Sequence, residues 1–333
     1  MDIQEITERV EQESVVIRQI MANMEKVIVG QRYLIERLII GLLCDGHLLL
    51  EGPPGLAKTR AIKTLASGIE ADFHRVQFTP DLLPADLTGS DIYHPEDNSF
   101  QFNQGPLFHN LILADEINRA PAKVQSALLE SMEERQITIG LSSHPLPKLF
   151  LVMATQNPIE QEGTYPLPEA QLDRFLLHVI IRYPDREASR KILAISRQET
   201  LDALEDNHPG DFNPVTQTDI FAARREVMTL HLAESIEEYI IELIECTRSP
   251  QHYGDHLARW IEWGASPRGA IAIERAARAT AWLKGRDFVT PEDVQQVAPD
   301  ALRHRILLSY EATAEGVTPQ QCLDEILQRV PSP

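Results

Sequence analysis

The run Gly52-Pro53-Pro54-Gly55-Leu56-Ala57-Lys58-Thr59 sets glycines, a lysine and a hydroxyl at the spacing of a phosphate-binding loop. The apolar stretch His47-Leu48-Leu49-Leu50 before it reads as a buried strand, and Arg60-Ala61-Ile62-Lys63-Thr64-Leu65-Ala66 after it reads as a helix. In that setting the loop N–H groups and the helix N-terminus form a positive cradle for phosphates. Lys58 is spaced to reach β- and γ-phosphates and Thr59 to set its hydroxyl on Mg²⁺, so Gly52 through Arg60 is expected to bind nucleotide. Ala57 stands where glycine is usual. The position needs a small residue because backbone and phosphate approach closely, and alanine is the smallest change.

A second chemical signal is Leu111-Ile112-Leu113-Ala114 closed by Asp115-Glu116. Asp115 is placed to hold Mg²⁺, and Glu116, one residue on, to polarise an attacking water. Acidic residues at a strand end are commonly mere helix caps; pairing with the phosphate loop upstream is what gives these two a role. A third is Leu149–Thr155, a continuous apolar strand ending in Gln156-Asn157-Pro158, with polar amides where ligands bind open α/β sheets. His252 and His256 stand four apart, but Gly254 lies between them and no base glutamate follows, so they do not read as a metal pair.

The elements that must position these groups follow from periodicity. Ile6, Val10, Val15, Ile17, Ile20, Met21 and Met24 recur at helical steps, as do Leu34, Ile35, Leu38, Ile39 and Leu42. Between them Val29-Gly30-Gln31 is either a plain loop or a β-branched and glycine cover for a flat ring such as adenine. Residues 73–78 alternate as a strand. Residues 91–94 and 99–102 are expected to form a β-hairpin joined by Pro95-Glu96-Asp97-Asn98, either a surface elaboration or a partner-contacting arm. A helix is expected at Ala122–Glu134, a second hairpin at 136–146, a short helix ending Leu172-Asp173-Arg174-Phe175, and a last strand at Leu176–Ile180. From Tyr183 onward the pattern is helical, with a loop at 203–217; Ser266-Pro267 and Thr290-Pro291 are helix N-caps followed by proline.

With 333 residues the chain is too long for one compact core, so two domains are expected, 1–183 and 184–333. No apolar run is long enough to span a bilayer and the polar start is no signal peptide, so a cytoplasmic protein is expected. Three widely spaced cysteines, Cys44, Cys246 and Cys322, make no disulfide scaffold. A net charge of −19 argues against a duplex-DNA footprint, though not against a local basic channel.

Ala114-Asp115-Glu116-Ile117-Asn118-Arg119-Ala120-Pro121 and the long run from Ala154 through Phe175 resemble the MoxR group of AAA+ ATPases, and Ala57 matches that group's usual spelling. The resemblance runs over most of the chain. It implies a P-loop AAA+ α/β core with a parallel five-stranded sheet and inserted β-hairpins, then an all-helical lid. It implies that Asn157 is sensor 1, orienting the lytic water, that Arg174 is an arginine finger reaching a neighbouring subunit's γ-phosphate, and that Arg268 is sensor 2 on the lid. Val29 and Gly30 would sit beside adenine. The cofactors implied are ATP and Mg²⁺; the partners are copies of itself in a hexameric ring, a von Willebrand A domain protein and a client complex that the ring matures. Alternatives left open are the motor subunit of a metal chelatase, a nucleic-acid motor and a slow nucleotide-gated scaffold. The hairpin 91–102 carries no Lys or Arg, which counts against the nucleic-acid motor. Arg119 is an interface charge or a surface residue. Arg174 has a plainer reading as a salt-bridge partner of Asp173.

Overall fold

A computed structural model describes residues 3–96, 98–140, 142–158, 163–204 and 214–333, without the side chains of residues 3–13 and Ala203. Outside the described residues lie the side chains of Ile6 and Val10, Asp97 of the hairpin turn, the 159–162 part of the resembling stretch, and most of the loop expected at 203–217.

The first half alternates strand and helix: α1 (Ile3–Val27), α2 (Arg32–Leu43), β1 (Leu48–Glu51), α3 (Lys58–Ser67), β2 (Phe73–Gln77), α4 (Pro84–Thr88), β3 (Gly89–His94), β4 (Ser99–Gln104), β5 (Leu111–Asp115), α5 (Ala122–Glu134), β6 (Gln136–Ile139), β7 (Ser142–Pro145), β8 (Leu151–Gln156), α6 (Glu169–Leu172) and β9 (Leu177–Ile180). Five strands make one parallel sheet in the order β2-β5-β8-β1-β9. Side chains alternate across it. Leu48, Leu50, Leu111, Leu113, Leu151 and Met153 enter one core cluster; Leu49, Ile112, Ala114, Val152 and Ala154 enter the other. Burial on both faces is why these strands read as unbroken apolar runs. The two expected hairpins, β3–β4 and β6–β7, stand apart from the sheet and meet where Phe102 stacks on His144 at 4.0 Å.

The second half is helical: α7 (Arg186–Leu204), α8 (Gln217–Thr229), α9 (Glu234–Arg248), α10 (Asp255–Trp260), α11 (Pro267–Leu283), α12 (Pro291–Leu302), α13 (Tyr310–Ala314) and α14 (Pro319–Arg329). Ser266 caps α11, its hydroxyl accepting from the Arg268 N–H, and Thr290 makes a capping box with Asp293. One addition breaks the all-helical expectation. A short antiparallel pair, β10 (Ile261–Trp263) with β11 (Leu307–Leu308), links two helical segments. Runs of three and two residues are too short to show a period of two.

The helical region packs on α2 and β9. At the junction the Asp300 carboxylate of α12 accepts from Tyr33 Oη (2.5 Å), Arg37 Nε (2.6 Å) and Arg303 Nη1 (3.0 Å). Arg37 and Asp300 are each only 2% exposed, so their charges are tolerated only because they meet.

Candidate nucleotide site

The loop after β1 opens a cleft of about 450 Å³ at the carboxyl edge of the sheet, walled by Lys58, Thr59, Asp115, Glu116, Thr155 and Asn157. Gly52 is at its base, where a Cβ would fall 2.7 Å from the Ile181 carbonyl, so the loop turns there only without a side chain. Gly55 has φ +80° with open space around it, and Ala57 has φ +57° as the residue capping α3. Ala57 therefore sits in the left-handed region, so glycine is usual there for conformation as well as for room beside the phosphates; an alanine costs about 1 kcal/mol. Pro54 lines the cleft, Leu56 is buried, and Arg60 pairs with Glu199 of α7. With α3 behind it, the loop offers the donor set a polyphosphate requires.

Lys58 Nζ donates to the Gly52 carbonyl at 2.6 Å. Burial lowers its pKa, while Asp115, Glu116 and Glu51 oppose that shift. Asp115 ends β5. Its Oδ1 accepts from the Thr155 hydroxyl (2.6 Å) and its Oδ2 from Arg75 Nη2 (2.7 Å). The same Thr155 oxygen accepts from the Glu116 N–H at 2.9 Å. Glu116 has φ +57°, a strained conformation for a side-chain-bearing residue, which that bond helps to hold. Its Oε2 accepts from Gln77 Nε2 (2.8 Å) and Arg119 Nη1 (3.0 Å), so Arg119 is the partner of the candidate base. Thr59 and Asp115 are the residues that fit Mg²⁺: a hydroxyl and a carboxylate, both oxygen donors, facing one cleft.

Two sequence-predicted groups lie elsewhere. Arg174 and Arg268 line a separate cavity of about 310 Å³ with Asp45, Gly46, His47 and Leu176, residues that precede β1 and β9. This is the amino edge of the sheet. Strands of four to six residues at about 3.3 Å per residue put roughly 13–20 Å between the two edges. Arg174 Nη2 and Arg268 Nη2 both pair with Glu133 at the end of α5, Arg174 at 3.0 Å. Glu133 also answers the unfavourable placing of Arg268 near the N-terminus of α11. Arg174 is paired with Glu133 and not with Asp173, whose Oδ1 is taken by Arg305. His47 helps seat α5: its Nδ1 accepts from the Val152 N–H at 3.0 Å and its Nε2 donates to the Met132 carbonyl at 3.3 Å. Burial pushes its pKa down to about 3, keeping the ring neutral.

Val29 and Gly30 are outside the phosphate cleft's walls. A Cβ on Gly30 would lie 2.6 Å from Ala188 Cβ, and Gln31 Nε2 donates to the Arg182 carbonyl at 3.1 Å. Gly30 and Gln31 thus flank the connection after β9, against which Gly52 also packs. His256 contacts Arg259 and Trp260, and among the described residues no group of three or more acidic, histidine or cysteine side chains is gathered for a metal.

Residues 47–177 match the model of the ATPase family associated with various cellular activities (AAA), and residues 257–326 match the AAA lid domain. Over 313 residues the chain is 44% identical to Chaperone MoxR1 of Mycobacterium tuberculosis, covering 93% of this chain and 81% of that protein. The chain belongs to the MoxR family of AAA+ ATPases. It is also 34% identical over 325 residues to protein MoxR of Paracoccus denitrificans, covering 94% and 95% of the two chains. A crystal structure described as that of a candidate ATPase from Cytophaga hutchinsonii superposes with a TM-score of 0.89 at 47% identity, covering 99% of each chain.

Several residues that shape this MoxR-family site escaped the sequence reading. Thr155 hides inside an apolar strand, where a threonine reads as an ordinary β-former. Arg75 and Gln77 are outward positions on an alternating strand. Glu133 sits in a charged helix end. A signal for Gln77 and Arg75 was available: on the parallel strand next to β5, Gln77 lies level with Asp115 and Arg75 with Leu113, two residues before it.

Proposed function

We propose that the chain hydrolyses ATP to ADP and phosphate in the cleft between the Gly52–Thr59 loop and Asp115-Glu116, and that turnover drives remodelling, maturation or activation of a client protein complex. Mg²⁺, held by Thr59 and Asp115, would neutralise charge on the β- and γ-phosphate oxygens. Glu116 takes the proton of the lytic water and Asn157 orients that water, with Lys58 on the phosphates. Val29 and Gly30 cover adenine. Arg174 and Arg268 serve a neighbouring subunit's nucleotide in a homo-oligomeric ring, hexameric in this reading.

The observation that carries the reading is the separation of the two arginines from the phosphate cleft of their own chain. They converge on Glu133 at the opposite edge of the sheet. A phosphoryl-transfer site needs cations on the transferring oxygens, and within one chain these two are a sheet's width away. A head-to-tail ring brings one copy's amino edge to the next copy's carboxyl edge. The name of the M. tuberculosis relative, a chaperone, supports the remodelling role. A von Willebrand A domain partner and a cytoplasmic setting belong to the same reading. Nucleic acid does not, given the net charge of −19.

The test is ATP turnover per protomer across a range of protein concentrations. Specific activity is expected to rise with concentration, Glu116→Gln to lower it by about 10²–10⁴-fold while still binding nucleotide, and Arg174→Ala to leave it near zero throughout. Turnover that survives Arg174→Ala would overturn the shared site.

A further inference from the structure

Arg305 lies in the turn after α12, far along the chain from any motif, yet it is buried, its side chain 3% exposed. Its guanidinium is spent on the segment that carries Arg174. Nε donates to Asp173 Oδ1 (2.7 Å), and Nη2 donates to the Asp173 carbonyl (3.0 Å) and the Phe175 carbonyl (2.7 Å). Nη1 donates to the Leu176 carbonyl (3.2 Å) and to that of Ala301. The two residues before it bind the same segment: His304 Nε2 donates to the Phe175 carbonyl (3.0 Å) and Arg303 Nη1 to the His178 carbonyl (2.5 Å). Phe175 is itself fully buried. Arg174 is thus flanked by two residues whose carbonyls are fixed, and its side chain alone is left to project into the cavity with Glu133.

Asp173 extends the clamp to the second arginine. Its Oδ2 accepts from the Ser266 hydroxyl at 2.9 Å, and that hydroxyl also caps α11, accepting from the Arg268 N–H. One carboxylate therefore ties the backbone beneath Arg174 to the helix end beneath Arg268. A planar five-donor guanidinium can span a carboxylate and several carbonyls at once; a lysine ammonium cannot.

From this geometry we infer that Arg305, acting through Asp173, is a positioning residue for the paired cations Arg174 and Arg268, and that it serves the nucleotide of the neighbouring subunit, not its own. The inference rests on the shared site proposed above. Displacing a catalytic group by about 1 Å costs on the order of 10²-fold in rate. Arg305→Met is accordingly expected to lower turnover about 10²-fold, with affinity for a fluorescent ATP analogue unchanged because the Gly52–Thr59 loop is untouched. Arg305→Lys keeps the charge but not the fork and should fall between.

The deciding measurement mixes subunits in equal amounts. Glu116→Gln subunits cannot hydrolyse but keep both arginines in place, so rings mixed with Arg305→Met should regain about a quarter of wild-type turnover, the share of interfaces pairing an intact base with an intact clamp. Rings mixing Arg305→Met with Arg174→Ala, both lacking placed cations, should stay inactive. The control mixes Glu116→Gln with Arg174→Ala. If the control recovers and the Arg305→Met mixture does not, the positioning role is wrong and the shared site stands. If the control also fails, the shared site falls and takes the inference with it. Should Arg305→Met not fold, Asp173→Asn is read out in its place. It keeps an acceptor for Arg305, loses the one for Ser266, and is expected to cost about tenfold and to be complemented by Glu116→Gln; wild-type turnover in that variant would equally refute the clamp.

Discussion

A single hydroxyl organises both carboxylates of the phosphate cleft. Thr155 donates to Asp115 and accepts from the N–H of Glu116, the residue whose left-handed backbone needs holding. Replacing it with valine keeps the shape and removes both bonds. Losses of such supporting bonds typically cost 10–100-fold in activity, so Thr155→Val is expected to lower kcat about 10–100-fold with little change in nucleotide affinity, while Thr155→Ser stays within a few-fold of wild type. Steady-state kinetics beside equilibrium nucleotide binding checks this, and a Thr155→Val enzyme at full speed would remove Thr155 from the machinery. Contiguous motifs made Lys58, Thr59, Asp115 and Glu116 legible in the sequence, since each neighbour along the chain announces the next. The residues that hold them were not, because their partners lie 39 residues away for Thr155 and Glu116 and 135 for Glu133 and Arg268.

Among the elements, the junction of α2 with α12 fixes where the helical region sits, and with it where Arg268 points. Asp300 has three donors, two of them buried arginines, so removing its charge leaves Arg37 and Arg303 uncompensated in the interior. Breaking one side of such a pair costs about 3–5 kcal/mol, whereas replacing both sides with apolar groups is often near neutral. Asp300→Leu is therefore expected to lose about 3–5 kcal/mol, and adding Arg37→Met to cost less than the sum of the two singles. Urea unfolding of the four proteins of that cycle gives the coupling; simple additivity would show that the pair does not hold the junction. The elements themselves were largely legible. Strands buried on both faces print as apolar runs, and helix starts print as Ser266-Pro267 and Thr290-Pro291. The β10–β11 pair was not, since its strands are too short to carry a period and its pairing is set by helices at both ends. Nor does local pattern tell which edge of the sheet a lid residue will face; that depends on buried contacts such as Asp300 with Arg37.

At the scale of the whole molecule, the proposed ring sets a cationic pair against a large negative charge. Each subunit carries −19, so bringing copies together meets long-range repulsion. The contacts proposed to reward assembly, Arg174 and Arg268 on a neighbour's phosphates, act at short range in a partly buried cavity. Salt separates these two. The screening length falls from about 30 Å at 0.01 M to about 8 Å at 0.15 M, which removes interactions between distant exposed charges while sparing close, desolvated pairs. Moving from low to physiological salt in the presence of ATP should therefore strengthen assembly, lowering the concentration at which rings form by about tenfold, the equivalent of about 1.4 kcal/mol. Sedimentation velocity at several ionic strengths measures it directly. The Arg174→Ala protein should show the same salt trend at a higher midpoint, because it keeps the repulsion and loses part of the reward. Rings that dissociate as salt rises to 0.15 M would mean instead that exposed ion pairs between subunits outweigh the net charge, and the interface would have to be sought away from the arginine cavity.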